Sequence, residues 1–296
     1  MTARAHPSPT SDEVIHALER TGYLLEQRVA KVVKNAGFYT GTGRAFKDPD
    51  EGKSREVDVY AFKEFFANEA GNITLGVKLL VECKNSSGPY VVLGRKPDDN
   101  ERNIPPYSHT LPVEEVKWVS RREGARRYLK SRKTWNWLGL QELPHSPSRD
   151  DKRGLQLVRM NLKNKEWQAD NASIFDSLTL PLMKAVEAFR PIRDTGHTVP
   201  EWAYMHLCFP LVVTSGELFY VDADEEVPSA QAVDWAPIHR HIDMEGMKGV
   251  FSMDIVRFDG LENYIAERVL AFCREVSSIV RADPEKLRMR EVPNPE

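Results

Sequence analysis

Two stretches constrain this chain more than any others: REVDVYAF (55–62) and ITLGVKLLVECKN (73–85). Both are rich in β-branched and aromatic residues, the composition of half-buried pleated strands, and their spacing makes them antiparallel neighbours. Side chains alternate between the faces of a strand, so Val77, Leu79, Val81 and Cys83 share one face while Leu80, Glu82 and Lys84 share the other. Glu82 and Lys84 therefore stand side by side. The same rule sets Val57, Val59 and Ala61 on one face and Asp58 on the opposite one, and cross-strand pairing then carries Asp58 to Glu82. Two carboxylates and an ammonium meet at one point.

The flanking segments supply a fold for that pair. From Ser11 to Ala36 the apolar residues Val14, Ile15, Leu18, Leu25, Val29, Val32 and Val33 recur mostly three or four apart, the period of an amphipathic helix, with a break near Thr21 and Gly22 and a C-cap at Gly37. At about 100° per residue, Glu26 lies at the margin of the apolar stripe, close to Val33 and within reach of Val29. A carboxylate turned toward a sheet needs a partner, because burying it unpaired is costly. The GTGR of 41–44 and the DPDEG of 48–52 read as turns; the latter lacks the ligand spacing of a calcium loop.

Residues 95–154 change character, with a loop-like RKPDDNERNIPPYSH, a charged helix over 113–130 and a polar, Pro-containing stretch over 141–154. This reads as an insertion. Beyond it come LQLVRMNL as a strand, ASIFDSLTLPLMKAVEAF as a helix around Pro181, MHLCFPLVVTSGELFYVDA as strands turning at Ser215 and Gly216, FSMDIVRF as a strand, and LENYIAERVLAFCREVSSIV as a helix. The expected fold is α/β: a central mixed β-sheet flanked by helices, with an inserted basic helical segment. Its expected organisation is a lead-in over 1–10, one domain over 11–285 and a tail over 286–296, without internal repeats.

The net charge is −3 with 29% charged residues, so any grip on a polyanion has to come from local clustering. Between 117 and 133 basic residues outnumber acids heavily: Arg121, Arg122, Arg126, Arg127, Lys130 and Lys133 form a candidate nucleic-acid-binding patch, followed by Trp135 and Trp137 as candidate stacking rings. The bland reading is a solvated charged helix face with core tryptophans. Cys83, Cys208 and Cys273 are far apart and form no CxxC pair, which argues against a zinc ribbon or disulfide framework and for a reducing, cytoplasmic setting. No apolar run approaches the roughly 20 residues of a membrane span, and the first residues lack the apolar segment of a signal peptide. His239 and His241 read as an exposed loop or strand edge, and His109, His145 and Ser215 have no partners that spacing would place in a nucleophilic triad.

Hard Mg²⁺ or Mn²⁺ takes oxygen ligands, so Asp58 and Glu82 with a backbone carbonyl such as that of Cys83 suffice to anchor one, and an adjacent lysine orients an attacking water or offsets charge on a phosphate oxygen. A helix bearing an acid (LLEQRVAKVVKNAGF), then REVD, then VECK resembles the PD-(D/E)XK superfamily of restriction-endonuclease-like nucleases over roughly residues 20–90. The resemblance implies that Asp58 is the first metal-binding acid, Glu82 the second, Lys84 the catalytic lysine and Glu26 the helix acid. Glu56-Val57 stands where a proline often precedes the aspartate. It further implies a restriction-endonuclease-like core and a Mg²⁺- or Mn²⁺-dependent deoxyribonuclease of restriction, antiphage defence or repair. A homodimer, since cutting both strands takes two sites, and a directing partner protein are compatible with that. An RNA nuclease and a non-catalytic nucleic-acid-binding or regulatory module on the same fold are the alternatives.

Overall fold

A computed structural model describes residues 8–121, 127–190, 201–244 and 247–293, with residues 120, 121 and 127 described in the backbone alone. Thr10 opens helix α1 (Ser11–Thr21) with a reciprocal capping box to Glu13. Gly22, at φ 88°, turns the chain into α2 (Tyr23–Asn35), which buries Leu25, Val29 and Val33. Gly37 at φ 85° ends α2 by donating its N–H to the Lys34 carbonyl.

An antiparallel meander follows: β1 (Tyr39–Lys47), β2 (Ser54–Ala67) and β3 (Ile73–Lys84). The GTGR segment is thus not a turn. Eight residues of β1 pair with β2 from Tyr39↔Phe62 to Lys47↔Ser54, and this ladder overrides the weak strand propensity of the glycines. The chain continues through β4 (Tyr90–Arg95) and α3 (Asp99–Arg102) to β5 (Glu115–Arg121) and β6 (Arg127–Lys133), which pair as a hairpin. The charged stretch over 113–130, read as a helix, is therefore strand over its described residues 115–121 and 127–130. Val116 and Trp118 are buried against Val292 while Lys117 and Val119 face out, a period of two that the density of charges obscures in the sequence.

Next come α4 (Thr134–Trp137), β7 (Arg153–Lys163), β8 (Glu166–Asp170), α5 (Leu180–Ala188), β9 (Ala203–Thr214), β10 (Leu218–Asp222), β11 (Ala230–Ala232), β12 (Trp235–Met244), β13 (Met247–Arg257), α6 (Leu261–Tyr264) and α7 (Ala271–Ala282). Among the described residues, eleven strands form one sheet in the order β1-β2-β3-β9-β13-β12-β7-β4-β10-β11, with β8 paired to β7 on the side opposite β4. Strand β12, WAPIHRHIDM, is absent from the sequence reading because Pro237 and the polar histidines break its apolar pattern. Residues 286–296, read as a tail, include Leu287 and Val292, both buried.

This sheet cannot be flat. Thr214 of β9 and Leu218 of β10 are four Cα steps apart, at most about 14 Å of chain. In the sheet, however, β9 and β10 are separated by five strand-to-strand steps, which would be about 24 Å laid flat. The sheet therefore curls, and its concave face encloses a core of Leu80, Val92, Leu157, Val212, Leu218, Ile238, Phe251 and Met253 capped by Leu182 and Val186 of α5. The convex face carries a second core in which Leu79, Val81, Leu211 and Val213 pack on Val29 and Val33 of α2 and Phe272 and Val276 of α7. Leu79 is fully buried, and its side chain contributes about 2 kcal/mol by removal from water.

Candidate active site

The ladder between β2 and β3 runs from Ala67↔Thr74 to Val59↔Val81 and stops there. At that point the alternation of β2 also slips. Val59 and Ala61 join the convex core, whereas Val57, which alternation alone would place with them, joins the concave core beside Phe46 and Leu80. Asp58 sits at this twist. Its side chain takes the place of a ladder partner: Oδ2 accepts the Cys83 N–H at 2.7 Å. A strand residue directs its N–H and C=O to the same neighbour, so the Cys83 carbonyl also points to the Asp58 edge.

Two residues along β3, Glu82 and Lys84 project on the concave side with Leu80, and Lys84 Nζ donates to Glu82 Oε1 at 2.7 Å. Glu26, on α2, lies within electrostatic reach of Asp58, Glu82 and Lys84. Burial pushes its carboxyl above the usual range, and Asp58, Glu82 and Glu56 push it further against the pull of Lys84. Asp58 is raised by burial despite its bond from Cys83 and the charge of Lys84. Glu82 is raised by burial and by Asp58, with Lys84 opposing. Burial works against the Lys84 ammonium, yet Glu82 and Asp58 outweigh it and hold the lysine above its ordinary value. Burial followed by Asp58, Glu26 and Glu82 drives the Cys83 thiol up, so Cys83 offers its carbonyl and not a thiolate.

The four residues thus act on one another electrostatically: three carboxylates and one ammonium, with Glu56 adding negative charge. The surplus is anionic, which is the condition under which a divalent cation lowers the energy of the protein. Among the described residues, no three His, Cys, Asp or Glu side chains are gathered into a ready coordination cage. A hard ion that retains its waters needs fewer: Asp58, Glu82 and the Cys83 carbonyl supply oxygen donors of the required kind, with Glu26 behind them.

The base of the basic hairpin stands away from this cluster. The base of the β5–β6 hairpin is fixed by Lys117 N–H to the Arg290 carbonyl and Thr134 N–H to the Glu114 carbonyl, and the segment before it by Thr110 bridged to His206. His206 pairs with Gly76 at the other end of β3 from Lys84. Eight residues of strand, roughly 26 Å, separate the two ends. Lys133 is ion-paired with Glu115 at 2.7 Å, and Lys130 lies on β6. Arg121 and Arg127 are placed only by their strands, and Arg122 and Arg126 lie outside the described residues. Trp135 is buried against Phe272 and His109, and Trp137 packs on the Val116–Trp118 cluster, so neither is a stacking platform.

A second polar cluster has no signature in sequence, because its members come from distant elements. Asp150 bonds to Arg268, which also faces Asp254, while Tyr264 donates to Asp254 at 2.6 Å. Burial and the Asp254 charge push Asp150 up to about 7 against the pull of Arg268. His109 and His239 lie nearby, each driven down to about 3 by burial. His239 and His241 both lie on strand β12, His239 partly buried and His241 exposed. His145 pairs with Glu275 at 2.6 Å and Ser215 donates to Asn85 at 2.7 Å, so neither builds a nucleophilic triad. No helix among the described residues is long and apolar enough to cross a membrane. No family model, curated protein or solved structure matches the chain.

Proposed function

We propose that this chain is a metal-dependent nuclease that hydrolyses phosphodiester bonds of DNA through Asp58, Glu82 and Lys84, with Glu26 assisting. The observation that carries the reading is the pair of bonds from Cys83 N–H to Asp58 and from Lys84 to Glu82 where β2 and β3 part, with Glu26 in electrostatic reach of all three charged groups. The element order supports it as well: an acid-bearing helix, a three-stranded antiparallel meander, and a return through α5 to β9, which runs parallel to β3 at its side.

Asp58, Glu82 and the Cys83 carbonyl would hold Mg²⁺ or Mn²⁺, with Glu26 adding negative charge to the site. When bound, such an ion polarises a phosphodiester and lowers the pKa of water at the site. Asp58 is oriented for that task by the Cys83 N–H. Lys84, held protonated by its carboxylate neighbours, donates from Nζ toward a phosphate oxygen or an attacking water and offsets the charge that develops on the phosphoryl group. Cleavage of both strands of a duplex takes two such sites, which a symmetric homodimer provides. Restriction, antiphage defence or repair is the corresponding setting.

A nucleic-acid-binding module without catalysis is the second reading, favoured by the lack of a three-donor cage among the described residues. Incubation of supercoiled plasmid, single-stranded DNA and RNA with the protein in Mg²⁺, Mn²⁺ or EDTA separates the two. Metal-dependent nicking supports the nuclease, and binding without cleavage in any metal refutes it.

A further inference from the structure

The loop that leaves Lys84 is clasped by a hairpin. Strands β7 and β8 are joined by a two-residue turn in which Asn164 and Lys165 have φ of 52° and 69°, the left-handed backbone of a tight hairpin. This hairpin lies against residues 85–89: Met160 N–H donates to the Pro89 carbonyl at 2.8 Å. The approach is so close that a Cβ on Gly88 would lie 1.9 Å from the Met160 carbonyl oxygen and 3.9 Å from the Trp167 ring. Because the sheet curls, a hairpin four or more strands away in sheet order arrives beside the loop that leaves the catalytic strand.

Two kinds of side chain flank that loop. On the concave side Arg159 is the cross-strand partner of Tyr90, and the Tyr90 hydroxyl lies within the electrostatic reach of both Arg159 and Lys84. Lys163 stands on the same face of β7 as Arg159, four residues on. Among the described residues neither makes an ion pair, and Asp170, opposite Arg159, is bonded to Asn161 instead. Both cations are exposed. On the other side Leu162 and Trp167, a cross-strand pair, are 59% and 55% exposed, an apolar surface that packing does not explain.

We infer that the β7–β8 hairpin is the strand-holding arm of the site: Arg159 and Lys163 take backbone phosphates next to Lys84, and Trp167 stacks an unpaired base. This rests on the nuclease reading and adds to it a substrate class, single-stranded DNA or a single-stranded region beside the cut. Unpartnered cations match a polyanion, and an exposed ring is useful only to a base that is out of its duplex. The anionic surplus at Asp58, Glu82 and Glu26 would repel the same strand, so separate cations beside the cluster are needed to hold it there.

The test measures binding of fluorescein-labelled single-stranded and duplex DNA to full-length Asp58→Ala protein, with and without Arg159→Ala, Lys163→Ala or Trp167→Ala, across a salt series. Cleavage of the same DNAs is measured in parallel with Asp58 intact. Trp167→Ala is expected to weaken single-strand binding about tenfold and duplex binding far less, with Trp167→Phe restoring most of the loss. Each cation removed should lower the slope of log K against log salt by about 0.7. In cleavage the change should fall more on KM than on kcat. Unchanged single-strand binding in well-folded variants, equal losses on both DNAs, or no single-strand binding at all overturns the arm. If wild type cleaves while the arm variants match it, the arm is wrong and the nuclease stands; if binding depends on Trp167 and Arg159 without any cleavage, the arm stands and the nuclease falls.

Discussion

Asp48 is fully buried in the turn between β1 and β2, and replacing it with alanine is predicted to be among the most damaging single changes outside the apolar cores. Its Oδ1 accepts the N–H groups of Asp50 and Glu51 at 2.9 and 3.0 Å, and its Oδ2 accepts from Arg55 and, at 3.0 Å, from Lys184 of α5. Lys184 is only 4% exposed and keeps a contact to Asp50 at 3.1 Å. Asp48→Ala removes the buried partner of Lys184 and the acceptor of two backbone N–H groups, while Asp50 and Glu51 still face the ammonium, a change that costs about 2–3 kcal/mol. At roughly 2–4 °C per kcal/mol, the melting temperature should fall by about 5–10 °C. Arg55 and Asp58 follow directly on β2, so activity should fall with stability. Adding Lys184→Met should restore part of the loss, since the two side chains are coupled.

Burial alone would raise the Asp48 carboxyl, but the two N–H groups, Lys184 and Arg55 hold it well below the usual carboxylate range. A carboxyl whose folded pKa lies below its unfolded one stabilises the fold above the unfolded value, near pH 4, and loses that contribution as pH falls further. The gap between wild type and Asp48→Asn should therefore narrow below about pH 4. Thermal melts followed by circular dichroism at pH 7 and at about pH 3 measure both effects. A loss under about 1 kcal/mol for Asp48→Ala, or additivity with Lys184→Met, would show that Asp48 does not hold Lys184 in the fold.

Other outcomes follow from the same geometry. Glu26→Gln should raise the metal-free melting temperature, because burial and the surrounding carboxylates strain the charged form, and Mg²⁺ should stabilise wild type more than the variant in the same melts. Asp150, pushed up to about 7, binds a proton in the folded state that the unfolded chain releases near pH 4, so stability should fall as pH rises from about 4 through 7, and Asp150→Asn should flatten that slope in melts taken at each pH. Gly88→Ala forces its Cβ into the Met160 carbonyl and should cost about 1–3 kcal/mol, with the β7–β8 amides exchanging faster by hydrogen exchange.

The elements legible in the sequence are those whose side chains are sorted by burial alone. α2, β3 and the Glu82–Lys84 pair are of this kind, since one period decides each. The meander was half legible: β1 carries glycines where β-branched residues would advertise a strand, and only the backbone ladder to β2 reveals it. The β5–β6 hairpin was misread because its two inward residues, Val116 and Trp118, are outnumbered by charges. The curl of the sheet, and with it the seat of Trp167 beside residues 85–89, depends on pairings between β4, β7 and β10 that no local pattern encodes. The Asp150–Arg268–Asp254 cluster is hidden for the same reason.

The nuclease assignment is tested most directly by nicking of supercoiled plasmid and cutting of single-stranded DNA by wild type, Asp58→Ala and Lys84→Ala, each in Mg²⁺, Mn²⁺ and EDTA. Wild type is expected to cleave only with metal, EDTA and either substitution are expected to abolish cleavage, and all three proteins are expected to melt as folded chains. Cleavage that survives Asp58→Ala or Lys84→Ala, or folded wild type that cuts neither DNA in either metal, would contradict the assignment.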